Sequence, residues 1–145
     1  MLRNQMPVTS VQTPDSAKKV LIVDDELDVR IYVRTLFETS GYSPIVTRNG
    51  IEGLQKAKEL SPDLIILDVM MPEAGGVTMY RELKTDPQLK NIPVIMLTAV
   101  GEKSFSHYLK MLNIKIGDPI PQPEAYMEKP LDHEELLKLA RKILN

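Results

Sequence analysis

The sequence contains no cysteine and no tryptophan, and its aromatic residues are five tyrosines and two phenylalanines. Without cysteine the chain has no disulfide, no thiolate metal ligand and no thiol nucleophile, which fits a reducing compartment. No apolar run approaches the roughly 20 residues that span a bilayer, and the first residues lack the apolar centre of a signal peptide. The net charge of −2 provides no basic surface for nucleic acid. We therefore expect a soluble cytoplasmic protein that neither inserts into a membrane nor binds nucleic acid directly.

The length of 145 residues suits one domain with an apolar core. Residues 1–17 are polar, contain Pro7 and Pro14, and show no sustained periodicity. We predict a flexible N-terminal tail there, because chain termini are usually poorly tied down. The remaining residues, 18–145, are predicted to form the domain.

Short apolar runs followed by polar residues predict the strands of a buried sheet. Three of them are nearly continuous and too short for helices, at residues 20–23, 63–68 and 93–97, and a shorter one covers 125–127. Such runs are typical of parallel strands that are covered on both faces. A further strand is predicted at 42–47, where Pro44 lacks a backbone donor and so indicates the edge of the sheet.

Segments with apolar residues at helical spacing separate these strands. One of them ends at Gly41, a residue suited to the position just after a helix. Two others begin at capping residues, which are Asn49, with Glu52 three residues later, and Asp132. A further helix is predicted around Tyr108. Five strands that alternate with five helices predict an α/β fold, a flavodoxin-like (βα)5 doubly wound parallel sheet with strand order 2-1-3-4-5.

Four of the predicted strands end in polar side chains. Asp24 and Asp25 follow the first strand, and the other three strands end at Asp68, Thr98 and Lys129. In a doubly wound sheet the ligand site lies beyond the carboxyl ends of the central strands, so these groups are expected to converge there. Carboxylates that lie close together need a cation, and oxygen-only ligands favour a hard one, Mg²⁺ or Mn²⁺.

A site of this composition has the charges needed for phosphoryl transfer. The metal and the lysine would stabilise negative charge on phosphoryl oxygens, and the threonine would donate a hydrogen bond. A carboxylate can act as the nucleophile and form an acyl phosphate. Asp68 is the best candidate for that nucleophile, because it stands alone at the end of the central strand.

Four motifs at the strand ends resemble those of response-regulator receiver domains from bacterial two-component systems. They read VLIVDDE from Val20, LIILDVMMP from Leu64, IPVIMLTA from Ile92 and YMEKP from Tyr126. Each motif alone is only suggestive, whereas all four in this order are highly specific. The resemblance covers residues 18–144.

The resemblance implies a metal site around a phosphoacceptor. By it, Asp68 receives the phosphoryl group and also binds the metal. Asp25 would be a direct metal ligand, and Asp24 would act through a water molecule. The backbone carbonyl of Met70 would supply another oxygen.

The resemblance also implies groups that contact the phosphoryl group and report its presence. Thr98 would hydrogen-bond a phosphoryl oxygen, and Lys129 would contact the phosphoryl group, positioned by a cis peptide bond to Pro130. Tyr126 matches the aromatic residue whose rotamer follows the movement of Thr98. Thr98 and Tyr126 would therefore form the output switch.

The resemblance implies a single-domain response regulator that accepts a phosphoryl group from a sensor histidine kinase. It would signal to a downstream protein target through a changed output face, and it would act on no external substrate while catalysing its own phosphorylation and dephosphorylation. One alternative is a relay intermediate that passes the group to a phosphotransfer protein, and another is a pseudo-receiver that binds partners without phosphorylation. An aspartyl phosphatase is disfavoured, because those enzymes carry the nucleophile on the first strand.

The interval between Thr98 and Lys129 is longer than is usual in this family. We predict an insertion near residues 114–124, where three prolines stiffen the backbone. Loops of this length are often functional. Our hypothesis is that the insertion sets partner choice or forms the contact of a homodimer.

Overall fold

The computed structural model of the protein describes residues 16–69, 71, 75–99 and 120–145. Within these ranges the strands are β1 (Lys19–Val23), β2 (Ser43–Thr47), β3 (Leu64–Asp68), β4 (Val94–Thr98) and β5 (Ala125–Glu128). The helices are α1 (Leu27–Thr39), α2 (Gly50–Leu60), α3 (Gly76–Thr85) and α4 (His133–Leu144). All of them lie where the sequence predicts them. The helix predicted around Tyr108 and most of the predicted tail lie outside the described residues.

The five strands form one parallel sheet in the order β2-β1-β3-β4-β5. This confirms the predicted flavodoxin-like strand order and the prediction that the proline-bearing strand lies at an edge. The backbone N–H of Ser43 donates to the Lys18 carbonyl at 2.8 Å. Because successive residues of a strand face opposite neighbours, the nitrogen of Pro44 faces away from β1, so this proline removes no hydrogen bond from the sheet.

Helices cover both faces of the sheet, and each covered face forms an apolar core. On one face, residues of α2 and α3 pack against alternate strand residues, among them Ala57, Met79, Tyr80, Leu21, Ile65 and Met96. On the other face, residues of α1 and α4 do the same, among them Val33, Phe37, Leu136, Ile22, Ile66 and Leu97. The side chains of β3 and β4 alternate between these two cores, which explains why both strands are apolar at almost every position.

Side-chain caps fix the starts of two helices that follow the sheet. The side chain of Asn49 accepts a hydrogen bond from the Glu52 N–H at 2.8 Å, as predicted for a capping box. The return bond differs from the usual pattern, because the Glu52 carboxylate accepts from the N–H of Arg48, one residue earlier, at 3.3 Å. At the start of α4 the side chain of Asp132 accepts from the next turn of the backbone.

The last residues of the predicted insertion, 120–124, pack firmly against α3 and β4. Ile120 is buried in the same core as Tyr80, and the Tyr80 hydroxyl donates to the Pro121 carbonyl. The Glu124 carboxylate accepts from the Val94 N–H at 2.8 Å, and the Glu124 N–H donates back to the Val94 carbonyl at 3.0 Å. Residues 114–119 of the predicted insertion lie outside the described residues.

Candidate functional site

Backbone hydrogen bonds bring the polar strand ends to one edge of the sheet. The N–H of Asp24, just after β1, donates to the Thr47 carbonyl at 3.1 Å, and the N–H of Lys129, just after β5, donates to the Thr98 carbonyl at 2.8 Å. Asp68, the last residue of β3, pairs in register with Leu97. The carboxyl ends of the strands therefore place Asp24, Asp68, Thr98 and Lys129 at the same edge, as the sequence predicts.

Four carboxylates meet at this edge. Asp24, Asp25, Glu26 and Asp68 each offer an oxygen within 4.8 Å of the others. Asp24 and Asp68 are buried, whereas Asp25 and Glu26 are exposed. A cluster of this kind carries strong repulsion between like charges, and the repulsion is greatest for the two buried groups, where water screens least.

Lys129 supplies the positive charge that this cluster needs. Its Nζ lies 2.7 Å from a Glu26 oxygen, 2.9 Å from Asp24 Oδ2 and 3.3 Å from Asp68 Oδ2. Burial by itself would lower the pKa of Lys129. The hydrogen bond to Glu26, the contact with Asp24 and the charge of Asp68 outweigh that effect and raise the pKa above its ordinary value, so the lysine is held in its charged form.

Asp24 is held by the backbone but is incompletely satisfied. Its Oδ1 accepts from the Glu26 N–H at 2.9 Å, and its backbone carbonyl accepts from the Arg30 guanidinium at 2.8 Å. Its buried Oδ2 forms an ion pair with Lys129. No donor in the described part of the chain makes a well-aligned hydrogen bond to this oxygen. Burial raises the pKa of Asp24, and the Glu26 N–H and Lys129 offset only part of this.

The composition of the site fits a hard divalent cation. Its ligands are carboxylate oxygens, with no described histidine among them, and such oxygens are the preferred ligands of Mg²⁺. The under-satisfied Oδ2 of Asp24 offers a lone pair to such an ion. Met70, whose carbonyl is a predicted ligand, lies outside the described residues.

Thr98 and Tyr126 lie on one face of adjacent strands. Thr98 is buried at the end of β4, and Tyr126 of β5 pairs in register with Met96. Because Met96 and Thr98 are two residues apart on one strand, all three side chains point to the same face. Tyr126 is half-buried against the core on that face, and its hydroxyl donates to the side chain of Gln122. The Lys129–Pro130 peptide bond is cis.

Two contacts of the site were not predicted from the sequence. Glu26 is the last residue of the VLIVDDE motif, and the sequence pattern predicts no role for it, yet it makes the shortest contact of Lys129. Gly76, the first residue of α3, lies so close to β3 that a Cβ there would stand 2.2 Å from the Asp68 carbonyl oxygen. The run Gly75-Gly76 at the start of an amphipathic helix is the sequence signal for such a close approach.

The described helices contain no segment long and apolar enough to cross a membrane.

Comparison with known proteins identifies relatives of similar length. The polar-differentiation response regulator DivK of Brucella anthropi is 37% identical over 128 residues, which are 88% of this chain and 96% of the relative. The protein of the same name from Brucella ovis is 36% identical with the same coverage.

Solved structures share the fold. The chemotaxis response regulator CheY4 of Vibrio cholerae superposes with a TM-score of 0.76 at 29% identity, over 89% of this chain and all of that one. The receiver domain of a histidine kinase from Syntrophus aciditrophicus gives a TM-score of 0.74 at 30% identity, over 88% and 90% of the two chains. The family model of the response regulator receiver domain matches residues 20–141, which include all four strand-end motifs. With its sheet order, its acidic edge and these matches in agreement, the chain belongs to the response regulator receiver domain family.

Proposed function

We propose that this receiver domain accepts a phosphoryl group on Asp68 from a sensor histidine kinase, in a reaction that requires Mg²⁺ or Mn²⁺. The observation that supports this most is the position of Asp68 itself. Its carboxylate is buried at the end of a central strand, 3.3 Å from Lys129 Nζ and within 4.8 Å of oxygens from three further acids. A nucleophile, a cation site and a fixed positive charge are thus adjacent, as phosphoryl transfer requires.

In the proposed reaction an oxygen of the Asp68 carboxylate attacks the phosphorus of a phosphohistidine. A P–O bond forms, the P–N bond breaks, and the departing imidazole keeps the electron pair and takes up a proton. Asp24, Asp25, Asp68 and the carbonyl of Met70 would hold the metal, which neutralises charge on the phosphoryl oxygens when bound. Lys129 would stabilise the same charge, and the Thr98 hydroxyl would donate a hydrogen bond to a phosphoryl oxygen.

The position of Thr98 supports a path from Asp68 to the surface. Thr98 points to the same face as Tyr126, which reaches the surface one strand further along the sheet. We propose that movement of Thr98 towards the phosphoryl group frees space into which Tyr126 turns. A downstream protein would then recognise the altered surface around β5.

Phosphorylation can be measured directly by intact mass after incubation with Mg²⁺ and phosphoramidate. We expect one phosphoryl group on the wild-type protein and none on the Asp68→Asn variant, because an amide is not a nucleophile for this reaction. Asp63→Asn is the matched control, since Asp63 lies beside the opposite end of the same strand, where its carboxylate accepts from the Lys19 N–H. Equal phosphorylation of Asp68→Asn would contradict the proposal. A protein that takes no phosphoryl group would support a pseudo-receiver, and turnover of p-nitrophenyl phosphate would support a phosphatase.

The exposed face of α1 is a suitable docking surface for the kinase. Leu27 and Ile31 are 59% and 54% exposed, and Tyr32 is 40% exposed. Leu27 and Ile31 are four residues apart and so lie on one side of the helix. The helix begins directly after the acidic cluster, and exposed apolar side chains grouped in this way mark interaction sites. A helix that presents the kinase histidine could pack here and direct that histidine at Asp68.

Ile31→Gln is therefore expected to reduce phosphotransfer from a cognate sensor kinase roughly tenfold, the typical cost of removing a central apolar contact. Glutamine has a helix propensity at least as high as that of isoleucine, so α1 should stay folded. Phosphorylation by phosphoramidate, which needs no docking surface, should therefore stay unchanged. Ile51→Gln on α2 is the control, because Ile51 is 69% exposed but lies on another helix. The measurement is transfer from the radiolabelled kinase over time. Equal losses in both variants, or a loss with phosphoramidate as well, would argue against docking at α1.

A further inference from the structure

Lys129 makes its shortest contact with an acid that is not buried in the site. Its Nζ lies 2.7 Å from Glu26, whose side chain is 59% exposed, against 3.3 Å from the buried Asp68. Both contacts are hydrogen bonds. An ammonium group has three N–H donors, so one of them can hold Glu26 while another points at the phosphoacceptor.

The carboxylate of Glu26 does not cap the start of α1. Glu26 occupies the N-cap position, yet its side chain makes no capping hydrogen bond. The backbone around it is fixed instead by its own N–H, which donates to Asp24 Oδ1, and by its carbonyl, which accepts from the Arg30 N–H at 3.0 Å. The side chain therefore extends from a rigid base and is free to hold Lys129.

The contact between Glu26 and Lys129 matters most when the buried acids bind a metal ion. On the proposed function, Asp24 and Asp68 share their charge with a metal, and the same metal repels the ammonium group. Glu26 lies at the exposed rim and can keep its contact with Lys129 under those conditions. We propose that Glu26 is a positioning residue that holds the Lys129 ammonium beside Asp68 during phosphoryl transfer.

The first test is the initial rate of Asp68 phosphorylation by phosphoramidate at saturating Mg²⁺. We expect Glu26→Ala to be about fivefold slower, the effect of losing one partly exposed charged contact. Glu26→Gln should fall between Glu26→Ala and the unmodified protein, since the amide oxygen can still accept a hydrogen bond. Asp28→Ala is the matched control, because it removes an exposed negative charge two residues further along the chain. We expect its rate to match that of the unmodified protein.

A double-variant cycle separates positioning from general electrostatics. If Glu26 acts through Lys129, Glu26→Ala should slow the reaction no further once Lys129→Ala is in place. A full additional fivefold loss in that background would overturn the proposal. So would an equal loss in Asp28→Ala, or a Glu26→Ala rate equal to that of the unmodified protein.

A spectroscopic readout tests the contact without phosphorylation. The ¹H–¹⁵N NMR signal of the Lys129 ammonium should shift or broaden in Glu26→Ala and stay in place in Asp28→Ala, both with Mg²⁺ and without it. An unchanged signal in Glu26→Ala with Mg²⁺ would overturn the proposal. Absence of phosphorylation in the unmodified protein would instead refute the proposed function, and the NMR result would still decide whether Glu26 holds Lys129.

Discussion

Gly76→Ala is expected to destabilise the protein by about 3 kcal/mol, at the upper end of the cost of overpacking. An added Cβ would lie 2.2 Å from the Asp68 carbonyl oxygen and 2.6 Å from the Val69 Cα. Both are backbone atoms, so no side-chain rotation relieves the clash, and either α3 or the end of β3 must move. Because β3 ends at Asp68, the proposed phosphoacceptor, phosphorylation of the folded variant should also slow.

Gly53→Ala is the control for this prediction. A Cβ at Gly53 would meet Val23 Cγ2 at 2.8 Å and the end of the Met79 side chain at 3.0 Å. Methionine adapts readily, whereas the buried and branched Val23 must shift at some cost in stability. Alanine is favoured over glycine inside a helix by about 1 kcal/mol, which offsets much of that cost, so we expect a net loss of at most about 1 kcal/mol. Urea unfolding of both variants measures the difference. If the two variants are equally stable, the close approach of α3 to Asp68 is not the constraint that we infer.

Lys129→Met is expected to lower the free energy of unfolding by about 2 kcal/mol without metal, because it removes the positive charge that Lys129 places beside the buried Asp24 and Asp68. Methionine replaces most of the methylene groups of the lysine side chain, so the lower free energy of unfolding is due mainly to the lost charge. Mg²⁺ should restore stability to this variant more than it stabilises the unmodified protein. The reason is that, on the proposed function, the lysine and the cation compete for Asp24 and Asp68, and in this variant only the cation remains.

Lys84→Met is the matched control. Lys84 is also partly buried, and its Nζ donates to the carbonyls of Lys90 and Ile92 at 3.2 Å and 2.9 Å. Its loss should therefore cost stability as well, but the effect of Mg²⁺ should be the same as in the unmodified protein. Thermal unfolding with EDTA and with excess Mg²⁺ measures both variants. Equal stabilisation by Mg²⁺ in all three proteins would contradict competition at the acidic edge.

Much of the fold and the convergence of the site could be predicted because both follow from local patterns and simple topology. Apolar runs such as that ending at Asp68 are too short for helices, and parallel strands carry their carboxyl ends to one edge. Once the order of the strands was inferred, the approach of Asp24, Asp68 and Lys129 followed. No distance was needed for that conclusion.

The contacts that were missed depend on quantities that the sequence does not contain. Whether Lys129 reaches Glu26 depends on the course of one loop and the rotamers of two long side chains. The importance of Gly76 depends on how closely α3 approaches β3. A glycine in a loop motif is compatible with many such distances, and only the packed structure selects one.

The position of Pro44 has a consequence for association between molecules. Among the described residues no strand pairs with the outer side of β2, and an open edge of this kind can pair with a strand of another molecule and start aggregation. Pro44 directs its nitrogen to that edge and has no N–H to offer there. A second strand added along β2 would therefore miss a hydrogen bond near the start of β2, which disfavours edge-to-edge pairing on this side of the sheet.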